Sequence, residues 1–187
     1  MIKHQKGAGL IEVLIAFLLL SIGGVGLASM QIKAKRMSYE AVQRSVATSL
    51  ARDIIERMRN NPSSLASYVT NNLGNSSISA EPSPNCIDVA CSNAQLAAHD
   101  LWEWERSLDG ASEQIEVSGN SVFAGGLDTP RACITNTNGQ VAVAIVWKGY
   151  QEMTNPTNST CGEGLGLYGT NEAERQVVLI GTYVDAL

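Results

Sequence analysis

The stretch from residue 10 to residue 32, LIEVLIAFLLLSIGGVGLASMQI, determines how the 187-residue chain is organised. The twenty residues from Val13 to Ile32 include no charge, and as a helix they reach about 30 Å, the thickness of a bilayer's hydrocarbon core. A helix that is apolar on every side is typical of a membrane span. One acidic residue, Glu12, lies inside the apolar run. Placing a charged carboxylate in a membrane costs free energy, so its presence there indicates a function. The stretch therefore predicts a membrane helix with a functional acid near its start.

Three kinds of amino-terminal segment are compatible with this stretch. Lys3 and Lys6 form a basic leader, and Gly26-Leu27-Ala28 is a small-x-small sequence of the kind that leader peptidase cuts, so a cleaved secretory signal is one alternative. A plain membrane anchor is the second. A secretory signal does not need an acid such as Glu12 in its apolar stretch. The third is a signal that is cut before the apolar helix, so that the helix stays in the mature protein.

The residues around Gly7 favour the third alternative. The basic leader ends in Lys6-Gly7, and Glu12 is the fifth residue after that glycine. This arrangement resembles the class III signal of type IV pilins and pseudopilins. The resemblance implies that a prepilin peptidase/N-methyltransferase cuts between Gly7 and Ala8 and methylates the amine of Ala8. It also implies that Glu12 pairs in the membrane with the terminal amine of a neighbouring subunit, which offsets the cost of both charges.

The helix is predicted to continue beyond the bilayer. Apolar residues keep helical spacing from Met37 to Met58, and no Gly or Pro interrupts them before Pro62. The residue before a proline disfavours the helical conformation, so the helix should end there. The predicted organisation is a cleaved leader (1–7), a transmembrane and polymerisation helix (8–32), an amphipathic continuation (33–61) and a globular head (62–187).

The head is predicted to combine a second helix with a small antiparallel sheet. Residues 62–92 are rich in Ser, Asn and Pro and indicate loops. Ser92 and Gln95 form a capping box, Gly110 ends the helix, and the acidic residues Glu103, Glu105, Asp109 and Glu113 are expected on its solvated face. Asn138-Gly139 predicts a hairpin turn. The predicted strands are 114–117, 133–135, 140–147 and 176–184. The fold class is α+β, the long helix packing on the sheet, as the resemblance to pilins also implies.

Four cysteines lie in the head: Cys86, Cys91, Cys133 and Cys161. Their spacing is unlike that of a zinc ribbon, so disulfides in an oxidising compartment are expected and a metal is not. The sequence allows three connectivities. Proximity favours Cys86–Cys91, which leaves Cys133–Cys161 to close a loop. No catalytic or nucleotide-binding motif occurs, so neither an enzyme nor a cofactor is predicted.

Charge separates the two parts of the chain and bears on its partners. Residues 8–60 carry a net charge of +3, and residues 61–187 carry four basic against fourteen acidic residues, a net charge of −10. An acidic head argues against direct contact with nucleic acid. The resemblance extends to the minor pilins through Ser21-Ile22-Gly23, the Asp100–Trp104 segment and the last strands.

That resemblance implies a protein of the inner membrane that crosses the bilayer once, with its head in the periplasm, before it enters the pilus. Its expected partners are the other minor pilins, the major pilin, the inner-membrane assembly platform and the lipid bilayer. A pseudopilin of type II secretion, which shares the leader and the helix, and a pilus-tip adhesin subunit are the alternatives.

Overall fold

One helix, α1, extends from Leu10 to Asn60 in the computed structural model of the chain. The structure describes residues 9–111, 113–123, 125–154 and 158–185. Gly7 and Ala8, the predicted cleavage and methylation positions, lie outside the described residues. The contacts group the chain into two compact units, Met1–Ala41 and Val42–Leu187, each of which is described by itself.

In the first unit, α1 is exposed along its whole apolar stretch, from Leu10 through Phe17 to Ile32. The helix continues without a break through Gly23, Gly24 and Gly26, although glycine is a poor helix former in water. Met37, which the sequence pattern assigned to a packed stripe, is also exposed.

In the second unit, α1 buries one stripe of side chains. The stripe recurs every three or four residues, because those positions share one face of a helix, and consists of Gln43, Ala47, Ala51, Ile54, Ile55 and Met58. The helix ends at Asn60, as the position of Pro62 predicts. A 3-10 helix, Pro62–Tyr68, follows directly.

The second long helix, α2, covers Asn93–Asp109 and has the predicted ends. The Ser92 hydroxyl accepts a hydrogen bond from the Gln95 amide, and the Gln95 side chain accepts one from the Ser92 amide. Gly110 adopts the left-handed conformation (φ 72°) after the last turn. One face of the helix is buried, with Ala97, Trp104 and Leu108 completely enclosed.

In the part of the head that the structure describes, there are six strands, and four of them form the main sheet. Their bounds are Thr70–Leu73 (β1), Gln114–Val117 (β2), Asn120–Phe123 (β3), Arg131–Thr137 (β4), Gln140–Lys148 (β5) and Arg175–Tyr183 (β6). The main sheet is antiparallel in the order β1-β4-β5-β6, and β2 pairs with β3 in a separate hairpin. The predicted turn at Asn138-Gly139 joins β4 to β5, with positive φ at both residues. The expectation that residues 62–92 form only loops is wrong, because they include the 3-10 helix and β1, and β3 was not predicted.

The two faces of the main sheet are covered differently. The inner face packs on the second-unit part of α1 and on α2, and it includes Ile134, Val143, Ile145 and Trp147. The outer face is covered only in part, by a smaller cluster in which Tyr168 and Cys161 pack against Ala144, Val146 and Val177. Beyond this cluster, the outer face is open at Leu179.

Candidate functional site

Glu12 lies in the first turn of α1, and its side chain is exposed. No side chain within the described residues bonds to its carboxylate. The backbone amide of Glu12 donates to the carbonyl of Gly9 at 2.9 Å, which places the acid at the very start of the helix. A carboxylate at this end interacts favourably with the helix dipole and remains available to a cation from outside the chain.

The helix that follows Glu12 is long and apolar enough to cross a membrane. None of its most apolar eighteen residues is buried in the structure. Large apolar side chains such as Leu10 and Leu20 are 80% and 72% exposed. Their contact with water would be unfavourable, whereas contact with lipid or with other apolar helices would be favourable. The exposed face therefore has the chemistry of an anchor and of a helix-packing surface.

In the second unit, Trp104 of α2 is completely buried, and its indole Nε1 donates to the carbonyl of Leu50 at 2.9 Å. A buried indole N–H needs such an acceptor, so the bond fixes how α2 packs on this part of α1. The Gln43 side chain donates to the carbonyl of Gly126 at 3.4 Å.

A network of charges joins the end of α1 to α2. The Arg57 guanidinium contacts the carboxylates of Asp53, Asp100 and Glu103 at 3.1, 3.1 and 2.7 Å. The Tyr68 hydroxyl donates to Asp100 at 2.5 Å. Burial lowers the pKa of Arg57, but the hydrogen bonds and charges of these acids outweigh it and raise the pKa overall. Burial and the bond to Asp100 raise the pKa of Tyr68.

Two acids of α2 bind the loop that follows β1. Glu105, which is 1% exposed, accepts hydrogen bonds from the backbone amides of Gly74, Ser77 and Ile78. Asp109 accepts hydrogen bonds from the amides of Asn75 and Ser76, at 2.8 and 2.7 Å. The expectation that Glu105 and Asp109 lie on a solvated face is wrong, because the loop covers them and supplies backbone donors. The spacing held a signal: Glu105 comes four residues after Leu101 and three before Leu108, on the buried face.

The four cysteines form two disulfides. Cys86 bonds to Cys91, and Cys133 bonds to Cys161, which is the pairing that proximity in the sequence favours. The second disulfide attaches the segment around Cys161 to β4. Arg175, only 4% exposed, reinforces this attachment by donating to the carbonyls of Ser159 and Cys161 and to the carboxylate of Glu163.

The head presents no assembled catalytic group in the part that the structure describes. His99 and Asp100 do not pair: His99 lies 3.6 Å from Glu81, and Asp100 belongs to the Arg57 network. The described residues also contain no cluster of three or more His, Cys, Asp or Glu side chains placed to bind a metal. The features with functional potential are the apolar helix that begins with Glu12 and the acidic head with its two disulfides.

Comparison with known families gives two matches. Residues 2–28 match the prokaryotic N-terminal methylation motif, and residues 29–102 match the family of Type IV pilin Tt1218. Comparison with curated proteins and with solved structures finds no match. The methylation motif includes Gly7, Ala8 and Glu12, and the second match includes α1 from residue 29 and most of α2. The long apolar helix and the small antiparallel sheet are consistent with the type IV pilin fold, and together with the motif they indicate anchoring in a membrane and a role in a pilus.

Proposed function

We propose that this chain, a type IV pilin by its amino-terminal motif, its family match and its fold, is a minor pilin that takes part in starting pilus assembly. The prepilin peptidase/N-methyltransferase cuts between Gly7 and Ala8 and methylates the new amine. The chain then waits in the inner membrane, with its head in the periplasm, until other subunits recruit it into the tip of the fibre. Pilins are structural subunits, and the role proposed here is structural.

The observation on which the proposal rests is the exposed carboxylate of Glu12 at the start of an exposed apolar helix. In the bilayer this acid is costly unless a cation neutralises it. Cleavage after Gly7 creates a cation of the same kind, the amine of Ala8, on every processed subunit. Pairing Glu12 with the amine of a neighbour lowers the cost of both charges and fixes the axial register between the two helices.

The minor rather than major role is inferred from resemblance to the minor pilin PilV, through the sequence opening GLIEVLIA, the Asp100–Trp104 segment and the last strands. The partners that follow are the other minor pilins, the major pilin and the inner-membrane assembly platform, and the process supported is twitching motility. A type II secretion pseudopilin is the second candidate, because it would share the same leader and helix. The disulfide-containing head favours the pilus.

Sequencing the amino terminus of the protein recovered from membranes tests the processing step. We expect the mature chain to begin at a methylated Ala8. A chain that begins at Met1 would be a plain anchor, and one that begins near Ser29 would be a secreted protein with a cleaved signal. Either result would contradict the proposal.

Replacing Glu12 by Gln tests the pairing. The variant should insert and be cleaved normally, but its incorporation into pili should fall roughly a hundredfold, because an unpaired buried amine in the neighbour costs on the order of 3 kcal/mol. Quantitative immunoblotting of sheared pili measures incorporation. Glu12→Asp, which keeps the carboxylate, is the matched control and should retain part of the activity. Normal incorporation of Glu12→Gln would refute the pairing.

A further inference from the structure

The outer edge of β6 is unpaired along its second half. β6 is the last strand of the main sheet, and within the described residues no strand lies on its other side. Its first four residues, from Arg175 to Val178, are buried. The segment beside them is held by two hydrogen bonds, from the Gln176 side chain to the carbonyl of Gln151 and from the amide of Met153 to the carbonyl of Ala173, just before the strand. From Leu179 to Tyr183 no residue is buried.

The hydrogen-bond pattern shows which backbone groups face outward. The amide of Val184 donates to Gly139, and the amide of Gly149 donates to Glu174, so these pairs bond directly across β5 and β6. In an antiparallel ladder, bonded and non-bonded pairs alternate. The amides and carbonyls of Leu179, Gly181 and Tyr183 therefore point away from β5, toward the open edge.

Among the described residues, the second half of β6 itself has none of the features that normally prevent strand addition, and the Arg59 side chain that bonds to the Thr182 hydroxyl does so on the inner face of the sheet. Exposed edges in soluble proteins are usually protected by charged side chains, proline or bulges. The eight residues from Gln176 to Tyr183 include no charge and no proline, and their pairing with β5 has no register shift. Leu179 and Tyr183 are 46% and 62% exposed and lie on the outer face of the sheet, next to the open edge.

The charge of the head identifies the kind of strand that would fit. The head carries four basic and fourteen acidic residues. The cations near β6 are already paired with acids: Lys148 contacts Glu174, and Arg175 contacts Glu163. Arg59 of α1, which donates to the Thr182 hydroxyl, is paired with Glu56. A second copy of this head would bring the same negative charge. The basic residues of this chain from 33 to 59 lie on a helix, which cannot add to a sheet.

We propose that residues Leu179–Tyr183 accept an extended, positively charged strand from the head of a different pilus subunit, which extends the main sheet across the subunit interface. The backbone groups of the three outward-facing residues supply the affinity, and Leu179 and Tyr183 pack against alternate apolar side chains of the added strand. The acidic head attracts the cations of that strand. This inference rests on the proposed function as a pilus subunit, since it takes the donor from the same fibre.

The test places the photo-crosslinking residue p-benzoylphenylalanine at Tyr183 of the full-length chain, in cells that produce the complete set of pilus subunits. After irradiation, mass spectrometry of the adduct identifies the partner peptide. We expect an extended, basic segment of another subunit's head. An adduct with a second copy of this chain, or with helices and lipid only, would overturn the inference.

Two substitutions block the edge without disturbing the ladder to β5. Gly181→Pro removes an outward-facing amide, at a strand position where proline is tolerated because no partner bond is lost. Its matched control is Gly181→Ala, which keeps the amide, and whose added Cβ finds the carbonyl of Val141 no closer than 4.0 Å. Leu179→Lys places a charge next to the edge, which opposes strand addition. This variant replaces Gly181→Pro in the test if the proline variant fails to fold. We expect crosslinking to fall at least fivefold in the blocked variants and to change less than twofold in Gly181→Ala.

The two proposals fail in different ways. If the wild-type chain is processed at Gly7 and found in pili, but the blocked variants crosslink as well as Gly181→Ala, the strand addition is wrong and the pilus role stands. If the wild-type chain is not processed, the pilus role is wrong, whatever the crosslinks show.

Discussion

Glu105 illustrates how a single buried carboxylate can fix the conformation of a loop that is remote in sequence. Its carboxylate accepts three backbone amides and the hydroxyl of Ser77, all from a segment about thirty residues earlier in the chain. Such a carboxylate provides acceptors that no apolar side chain could supply. The loop residues Asn75 and Ser76, both with positive φ, are held in place next to it by Asp109.

Replacing Glu105 by Ala should therefore lower the free energy of unfolding by about 3 kcal/mol or more, because it leaves several buried donors without acceptors. Urea unfolding of the full-length chain in detergent, followed by tryptophan fluorescence, measures the change. The matched control is Glu113→Ala, which removes an exposed acid just after α2 and should change the stability by less than about 0.5 kcal/mol. Equal losses in the two variants would show that the loop contacts contribute nothing.

At the scale of elements, the end of α2 depends on Gly110 for two reasons. Its φ of 72° is unfavourable for other residues, and a Cβ at this position would lie 2.0 Å from the backbone of Gly125. Gly110→Ala should thus cost both backbone strain and a clash. Gly119, in the turn between β2 and β3, has φ 80° but open space around it.

We expect Gly110→Ala to lower the free energy of unfolding by about 3 kcal/mol or more and Gly119→Ala by about 1 kcal/mol, since only the first change adds the clash to the strain. Thermal unfolding of the two variants gives the comparison. A similar loss in both would mean that the neighbouring backbone moves aside, and that strain alone limits the position.

The elements that could be predicted from sequence are those whose signals are local. The ends of α2 follow from Ser92, Gln95 and Gly110, and the β4–β5 hairpin follows from Asn138-Gly139, because caps and turns depend on neighbouring residues. β1 has no such signal. Its sequence, TNNL, is polar and short, and it becomes a strand only because β4, sixty residues later, pairs with it. The burial of Glu105 has one local signal, its spacing from Leu101 and Leu108 on the buried face of α2, but the backbone donors that make this burial favourable are remote in sequence.

At the scale of the whole molecule, deletion of the gene separates the pilus role from the secretion role. A minor pilin that starts assembly should be needed for surface pili, while type II secretion should continue at its normal level. Counting pili by electron microscopy and assaying secreted enzymes in the same strains gives both readouts. The wild-type gene should restore the pili and the Glu12→Gln variant should not. Normal pili with defective secretion would identify a pseudopilin.

The unpaired edge at Leu179–Tyr183 also affects whether heads associate with one another before assembly. Two heads that associate through this edge each carry a net charge of −10 and therefore repel each other. The repulsion extends over a Debye length, about 8 Å at physiological salt. The same acidity that attracts a basic donor thus keeps unassembled copies from sticking to one another. Concentrated salt would weaken this protection and favour self-association through the uncovered margin of the sheet.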